Sequence, residues 1–229
     1  MEGPSLVIAC EEFSPFLKKR ILKATGTAEI PFEKIRNSHL RRATSWGKHL
    51  ILEFQSITLR IHFLIFGSYR IDNPRENRIP KMLLEYGDQH IFFYSCAIKE
   101  LASDWRSDYD WSVDLMSRDW DAKSALRTLR EKPREQVGDL LMMGQKIFAG
   151  LGNIMKNEIL FRRLLHPETA FGALNAKEQR SLVKEADDYA WQFYEWKKSN
   201  VLKRNWEIMR KKTCPRCSNV GVTSVIAVR

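Results

Sequence analysis

The sequence predicts an α+β fold, strand-rich in its first half and helical in its second. Three observations carry this. Ile57, Leu59, Ile61, Phe63 and Ile65 alternate with Thr58, Arg60, His62 and Leu64, the period-two pattern of a half-buried strand. Lys81 to Tyr86 and His90 to Ser95 flank Gly87-Asp88-Gln89 and read as a hairpin. Beyond residue 120 the apolar spacing lengthens to that of helices, near Ala122–Arg130, Arg134–Leu141, Ile154–Leu164 and Ala176–Lys198. Ahead of all these, Ser5 to Lys23 has the spacing of an amphipathic helix, with Pro15 placed to bend it or restart it. No internal repeat or low-complexity tract interrupts the chain.

Lys and Arg number 38 against 28 Asp and Glu, giving a net charge of +10 and a pI near 9.5. This balance favours a polyanionic partner, nucleic acid first, with a ribosomal or membrane-surface partner as alternatives. With 229 residues and 44% hydrophobic content, the chain can bury a core and divide into two small domains. No apolar run approaches the roughly 18 residues of a membrane span, and no charged-then-apolar leader opens the chain. A cytoplasmic, nucleoid-associated protein with no membrane partner is expected. Cys10 and Cys96 stand singly in apolar stretches, as small buried hydrophobes do.

The most informative segment is Leu140 to Pro167. Gly150 and Gly152 permit the backbone to turn through φ > 0 and approach a ligand, and Asn153 then opens a helix. Met155 with Ile159, Leu160 with Leu164, and Phe161 with Leu165 form its apolar face, while Lys156, Arg162 and Arg163 are expected to face elsewhere. His166-Pro167 stops it. A helix N-terminus with free N–H groups, an Asn amide and nearby lysines suits an anion, phosphate in particular. In the tail, Cys214-Pro215-Arg216-Cys217 has the spacing of one zinc-binding knuckle. Its approach, Trp196 to Lys212, sets seven cations, Lys211 and Lys212 among them, against Glu207 alone, and reads as a DNA-facing surface or a solvated helix face.

The wording of that central segment resembles the helix–two-turn–helix of the formamidopyrimidine-DNA glycosylase and endonuclease VIII family of base-excision repair enzymes. The resemblance begins at Asp119-Trp120-Asp121 and Leu126. It passes through Leu140-Leu141, Gln145-Lys146, Ala149-Gly150-Leu151-Gly152-Asn153, Glu158 and Leu160-Phe161 to His166 and Pro167. Met1-Glu2-Gly3-Pro4 is similar to the family's N-terminal Pro-Glu-Gly-Pro with its first residue changed. Gly47 to Phe54, then His62 followed by Gly67-Ser68-Tyr69-Arg70-Ile71, extend the match in family order. The resemblance, to the endonuclease VIII-like branch, implies a β-sandwich with flanking helices over residues 1–118 and a linker at 119–121. A helix–two-turn–helix domain then follows over 122–212, with a partial zinc-finger tail over 213–229.

It also implies chemistry. The chain's own terminal amine, here that of Met1, would attack C1′ of a damaged nucleotide and displace the base. Imine formation and β/δ-elimination would then cut the strand. An α-amine suits this, with an ordinary pKa of about 7.7–8.0 against about 10.4 for lysine. Glu2 would serve as its acid–base partner and Lys48 would grip phosphate beside the lesion. His62, Asn153, Lys146, Lys211 and Lys212 would contact DNA, and Leu64, Ile65 and Phe66 would fill the gap left by the extruded nucleotide, unless they are a buried strand end. The expected partner is double-stranded DNA carrying oxidised bases or abasic sites, bound by a monomer. The short stretch before Cys214 lacks the glycine-rich loop of 8-oxoguanine-specific relatives, which leans toward oxidised pyrimidines or ring-opened lesions.

Three departures accompany the match. Glu2 is bulky, so Met1 is expected to be retained, leaving a primary amine where the family has proline. Ser5 stands where many relatives have Glu. Cys214 and Cys217 have no second Cys pair before Arg229, so a zinc ion would have to borrow ligands, and no cofactor is otherwise required. The competing readings are a truncated, metal-free tail and, for the whole, a damaged-DNA binder that has lost turnover. A basic RNA- or ribosome-associated module stands third.

Overall fold

The computed structural model describes residues 1–143 and 145–218. The chain divides into two compact units, Met1 with Ser5–Tyr109, and Glu2–Pro4 with the chain from Asp110 on. The first contains α1, a helix over Gly3–Glu12 whose residues from Ser5 belong to this unit. Its strands are β1 (Lys23–Thr25), β2 (Leu40–Trp46), β3 (His49–Phe54), β4 (Thr58–Ile71), β5 (Met82–Glu85) and β6 (His90–Leu101). They form one antiparallel sheet in the order β1-β5-β6-β4-β3-β2. Leu40 from one edge strand and Ala24 from the other lie in one core cluster with Leu6, Phe13, Leu52, Ile61, Leu84 and Phe93. The expected sandwich is thus a single sheet curled over one core, with α1 supplying Leu6 and the following turn Phe13.

The helix expected over Ser5 to Lys23 is shorter. Pro15 begins a separate single turn, Ser14–Phe16, and the chain is extended by Lys23, because a proline can open a helical turn but cannot sit inside one. The hairpin falls where expected, with Tyr86 N–H donating to the Gln89 carbonyl at 2.8 Å and Gly87 at φ +93°. The period-two pattern buries Ile57 and, on β4, Leu59, Ile61 and Phe63, then breaks: Ile65 is 90% exposed.

The second unit is built from α2 (Ala122–Arg130), α3 (Val137–Met142), α4 (Asn153–Arg163) and α5 (Ala176–Lys198). Asp119–Asp121, expected as a linker, lies inside this unit, where the Asp121 carboxylate caps α2 by accepting from the N–H groups of Lys123 and Ser124. Asn175 and Glu178 form a capping box that starts α5. Leu164, in the left-handed region at φ 57°, ends α4, ahead of Pro167. Met155, Ile159, Leu140, Phe148, Phe171, Leu182 and Tyr189 make the core.

Two expectations about α4 are reversed. Lys156 is 2% exposed and Arg162 is half-buried, whereas Leu164 is 77% exposed. Arg162 is internal because it has partners. Arg162 binds Glu207 at 2.6 Å, Glu185 at 3.3 Å and Gln192 at 2.7 Å, with its guanidinium over Tyr189. Burial pushes the Lys156 amine down from the usual lysine range, with the Asp139 charge acting the other way. Leu164 follows the last helical residue, so the left-handed cap carries it off the apolar face.

Candidate functional site

In the first unit, the two-residue turn Gly47-Lys48 joins β2 to β3, with Gly47 at φ 53°, a conformation glycine adopts without strain. The turn holds Lys48 half-buried at the start of β3. Its neighbour His49 pairs across the sheet with His62, the two rings meeting edge to face at 5.8 Å. Trp46 and Tyr109 pack against His49 at 5.7 and 5.8 Å. Burial, followed by the positive charges of the N-terminal amine, Lys48 and Arg60, holds the His62 imidazole below its usual range. The terminal amine, Lys48 and His62 therefore share one electropositive neighbourhood. His49, more deeply placed, is lowered to about 4 by burial first and then by Arg60 and His62. Both rings are neutral near pH 7.

Along β4 the ladder to β6 breaks after Phe63↔Cys96 and resumes at Ser68↔Tyr94. Four residues, Leu64 to Gly67, thus stand opposite Ser95 alone, a wide bulge. Ser95 takes φ 50°, and a Cβ on Gly67 would lie 2.7 Å from the Ser95 carbonyl oxygen, so the bulge closes only around glycine. Its consequence is a projecting triplet: Leu64, Ile65 and Phe66 are 51%, 90% and 78% exposed. The buried strand end considered for them is excluded.

In the second unit, Gly150 has φ +95°, as expected, but Gly152 is extended at φ −124°. Gly152 is needed for space instead, since a Cβ there would come within 2.4 Å of the Glu2 carboxyl carbon. Glu2, 9% exposed, accepts hydrogen bonds from the N–H groups of Ile154 at 2.8 Å and Met155 at 3.3 Å, while Gly3 N–H donates to the Gly150 carbonyl at 2.8 Å. The α4 N-terminus therefore holds an anion of the chain itself, the Glu2 carboxylate, on the N–H groups of Ile154 and Met155. Asn153 is half-buried as the first residue of α4, and Gln145 holds the loop by accepting from Gly150 N–H at 3.0 Å.

Lys146 and Lys212 are exposed and Lys211 half-buried. The segment before the last two is anchored by Glu158, fully buried, whose carboxylate accepts from the N–H groups of Glu207, Ile208 and Met209 at 2.8, 3.0 and 2.7 Å. Cys214 and Cys217 are free thiols. Backbone N–H groups of Arg216 and Cys217 hold the Cys214 thiol below its usual range, and Arg216 stacks on Phe161. Among the described residues no group of three or more His, Cys, Asp or Glu side chains is arranged to hold a metal, so the pair supplies half of a tetrahedral zinc set. Residues 219–229 of the expected tail lie outside the described residues.

His49, Gly67 and Glu158 were not singled out as positioning residues by sequence. His49 had a signal, its place after Gly-Lys opposite the alternating strand; Ser95 had none.

Residues 112–199 match the family model for the formamidopyrimidine-DNA glycosylase H2TH domain. The chain is 30% identical over 209 residues to endonuclease 8-like 3 of Xenopus laevis, covering 86% of this chain and 34% of that one. It is 29% identical over 153 residues to the DNA-(apurinic or apyrimidinic site) lyase Nei2 of Mycolicibacterium smegmatis, covering 64% and 59%. The chain thus spans about a third of the length of the endonuclease 8-like 3 proteins it matches. In structure it is similar to Lactococcus lactis formamidopyrimidine-DNA glycosylase bound non-covalently to DNA containing an AP site. There the TM-score is 0.84 at 20% identity, over 96% of this chain and 92% of that one.

Proposed function

The chain belongs to the endonuclease VIII-like branch of the formamidopyrimidine-DNA glycosylase family, and we propose that it is a base-excision DNA glycosylase with abasic-site lyase activity on oxidised bases. The observation that carries this reading is the treatment of the first two residues. The Met1 amine shares its surroundings with Lys48 and His62, and the Glu2 carboxylate is pinned by two helix N–H groups in a slot that only glycine leaves open. A pure binding module has no use for a buried, oriented carboxylate next to its terminal amine.

In this reading the neutral amine attacks C1′ and the bond from C1′ to the base breaks. The resulting imine makes the C2′ protons acidic, so elimination cleaves the strand. Glu2 moves protons at the opening sugar. Lys48, His62, Asn153, Lys146, Lys211 and Lys212 hold phosphates, which position the duplex without reading its sequence. Leu64, Ile65 and Phe66 enter the stack when the damaged nucleotide leaves it. DNA is the partner, the chemistry requires no cofactor, zinc at the Cys214–Cys217 pair being structural if bound, and the monomer is the working form.

Borohydride trapping on an abasic-site duplex tests the proposal. A covalent adduct mapping to Met1 is expected, lost on N-acetylation or behind an uncleaved tag while abasic-site affinity persists. A freely terminated protein that gives no adduct anywhere from about pH 6 to 9, a range bracketing the ordinary α-amine pKa, supports the second reading. That reading is a damaged-DNA binder without turnover, which the primary amine at position 1 favours.

A further inference from the structure

The first unit carries a second electropositive surface at the far end of β2 from Lys48. β2 is an edge strand, and its pairing with β3 shifts register between Leu40 and Arg42, a bulge at Arg41 that leaves both Arg41 and Arg42 exposed. A short ribbon lies alongside. Lys18 N–H donates to the Leu40 carbonyl at 2.9 Å, Ile21 N–H to that of Ser38 at 2.9 Å, and Asn37 N–H to that of Ile21 at 2.8 Å, with Arg20 bridged to His39. This ribbon sets Lys18, Lys19 and Arg20 beside Arg36, His39 and Arg41.

Two features separate this surface from ordinary solvated charge. Lys18 and Asn37 both adopt positive φ, 64° and 60°, a region that asparagine enters readily and lysine only where its surroundings hold it there. The ribbon is therefore held in shape by its buried members, Ile21, Ser38 and Leu40. Further, among the described residues none of Lys18, Lys19, Arg20, Arg36 and Arg41 forms an ion pair. Lys19 is tied to Gln89 and Arg20 to Asn37, neutral partners that order the cations without discharging them. Edge protection is served by charges on the edge strand itself, here Arg41 and Arg42. Five on two paired segments, unneutralised, match a row of phosphates.

We propose that Lys18, Lys19, Arg20, Arg36 and Arg41 form a second DNA-backbone contact of this unit, taking phosphates of the duplex away from the damaged nucleotide. The proposal rests on the reading of the chain as a DNA repair protein. Its reach follows from strand geometry. Arg41 lies five residue steps before Trp46, at the edge of the Gly47-Lys48 turn, which is about 17 Å of strand. At about 3.4 Å of duplex axis per base pair, this corresponds to roughly five base pairs of flank.

The test compares the parent with a variant carrying Lys18→Gln, Arg20→Gln, Arg36→Gln and Arg41→Gln. A control with Lys123→Gln, Arg127→Gln, Lys177→Gln and Arg180→Gln loses the same net charge from α2 and α5. Binding is measured against salt on abasic-site duplexes of about 8 and about 30 base pairs, the shorter ending before the ledge. On the long duplex the ledge variant is expected to lose about 3–4 units of the slope of log affinity against log salt, near 0.9 for each contact, and at least tenfold in affinity. On the short duplex it binds and cleaves as the parent does, and the control keeps its slope on both. Equal slopes for variant and parent on the long duplex, or equal losses in variant and control, overturn the ledge alone. A parent that binds neither duplex overturns the repair reading along with it.

Discussion

Leu64, Ile65 and Phe66 on β4 stand in water although they are apolar, while Lys156 and Glu158 on α4 are buried although they carry charge. Each region departs from the periodic pattern that makes its element. The costs differ in kind. An apolar side chain left exposed forgoes about 1.5–3 kcal/mol of burial and leaves no polar group unsatisfied. A buried charge must be matched atom by atom, and Glu158 is, by three backbone donors. Exposure without local compensation points to an external partner, whereas burial with full compensation points to architecture.

Glu158→Ala should break the architectural half of that contrast most severely. Leaving three N–H groups without their acceptor is expected to lower unfolding free energy by about 3 kcal/mol or more, read by denaturant melts. A loss below 0.5 kcal/mol, the size of an ordinary surface change, would mean that the 207–209 segment is held by something else. Next in size, Gly152→Ala pushes a methyl group into the Glu2 carboxyl. Base excision should fall about 100-fold, the scale of a misplacement near 1 Å, while the circular dichroism melt stays cooperative. Full activity in that variant would disconnect Glu2 placement from chemistry.

The functional half is tested by Phe66→Ala. Excision from duplex should fall about tenfold, since extruding a base costs a few kcal/mol that the wedge helps offset, and excision from single strands should not change. Thermal stability should hold or rise, because the ring is 78% exposed; a melting point lowered as by a core truncation would show that Phe66 packs against the protein.

An effect absent at neutral pH and seen only in acid concerns His49, intermediate between the two cases, a polar ring half-buried among aromatics. Its folded pKa, about 4, lies below the unfolded value of about 6.5. Between these values the unfolded chain binds the proton and the folded one does not, so stability is full above about pH 6.5 and falls as pH drops toward 4. His62 acts in the same direction. His49→Phe should flatten that decline in melting temperature; an unchanged pH profile would show that His49 is freely protonated in the folded state.

The sequence made much of this legible, and the limits are physical. α2 and α5 are recovered with their observed ends because Asp121 and Asn175 are strong caps next to regular apolar spacing. The β4 alternation is visible through Phe63, but Ile65 continues the pattern on paper and leaves it in space. The cause is a bulge closed by Gly67 and Ser95, and Ser95 is thirty residues away with nothing to mark its positive φ. Lys156 and Arg162 fail similarly: helical spacing assigns a face, not whether an acidic partner such as Glu207 will meet the cation there. The exposed triplet Leu64 to Phe66, Lys48 and Glu2 are singled out by resemblance, whereas the steric demand of Glu2 on Gly152 needs coordinates.

The bond from Ile154 N–H to Glu2 joins residues 152 apart in the chain. On a ribosome adding about 5–20 residues per second, Glu2 waits roughly 8–30 s for its donors to be made. Until then a carboxylate destined for burial remains hydrated, and the Gly150–Asn153 loop has nothing to close upon. The second unit is therefore completed by a residue made 152 positions before its donor. Ribosome-associated copies already holding the β-sheet residues would carry Glu2 without its two donors, and that contact would form only once α4 has been synthesised.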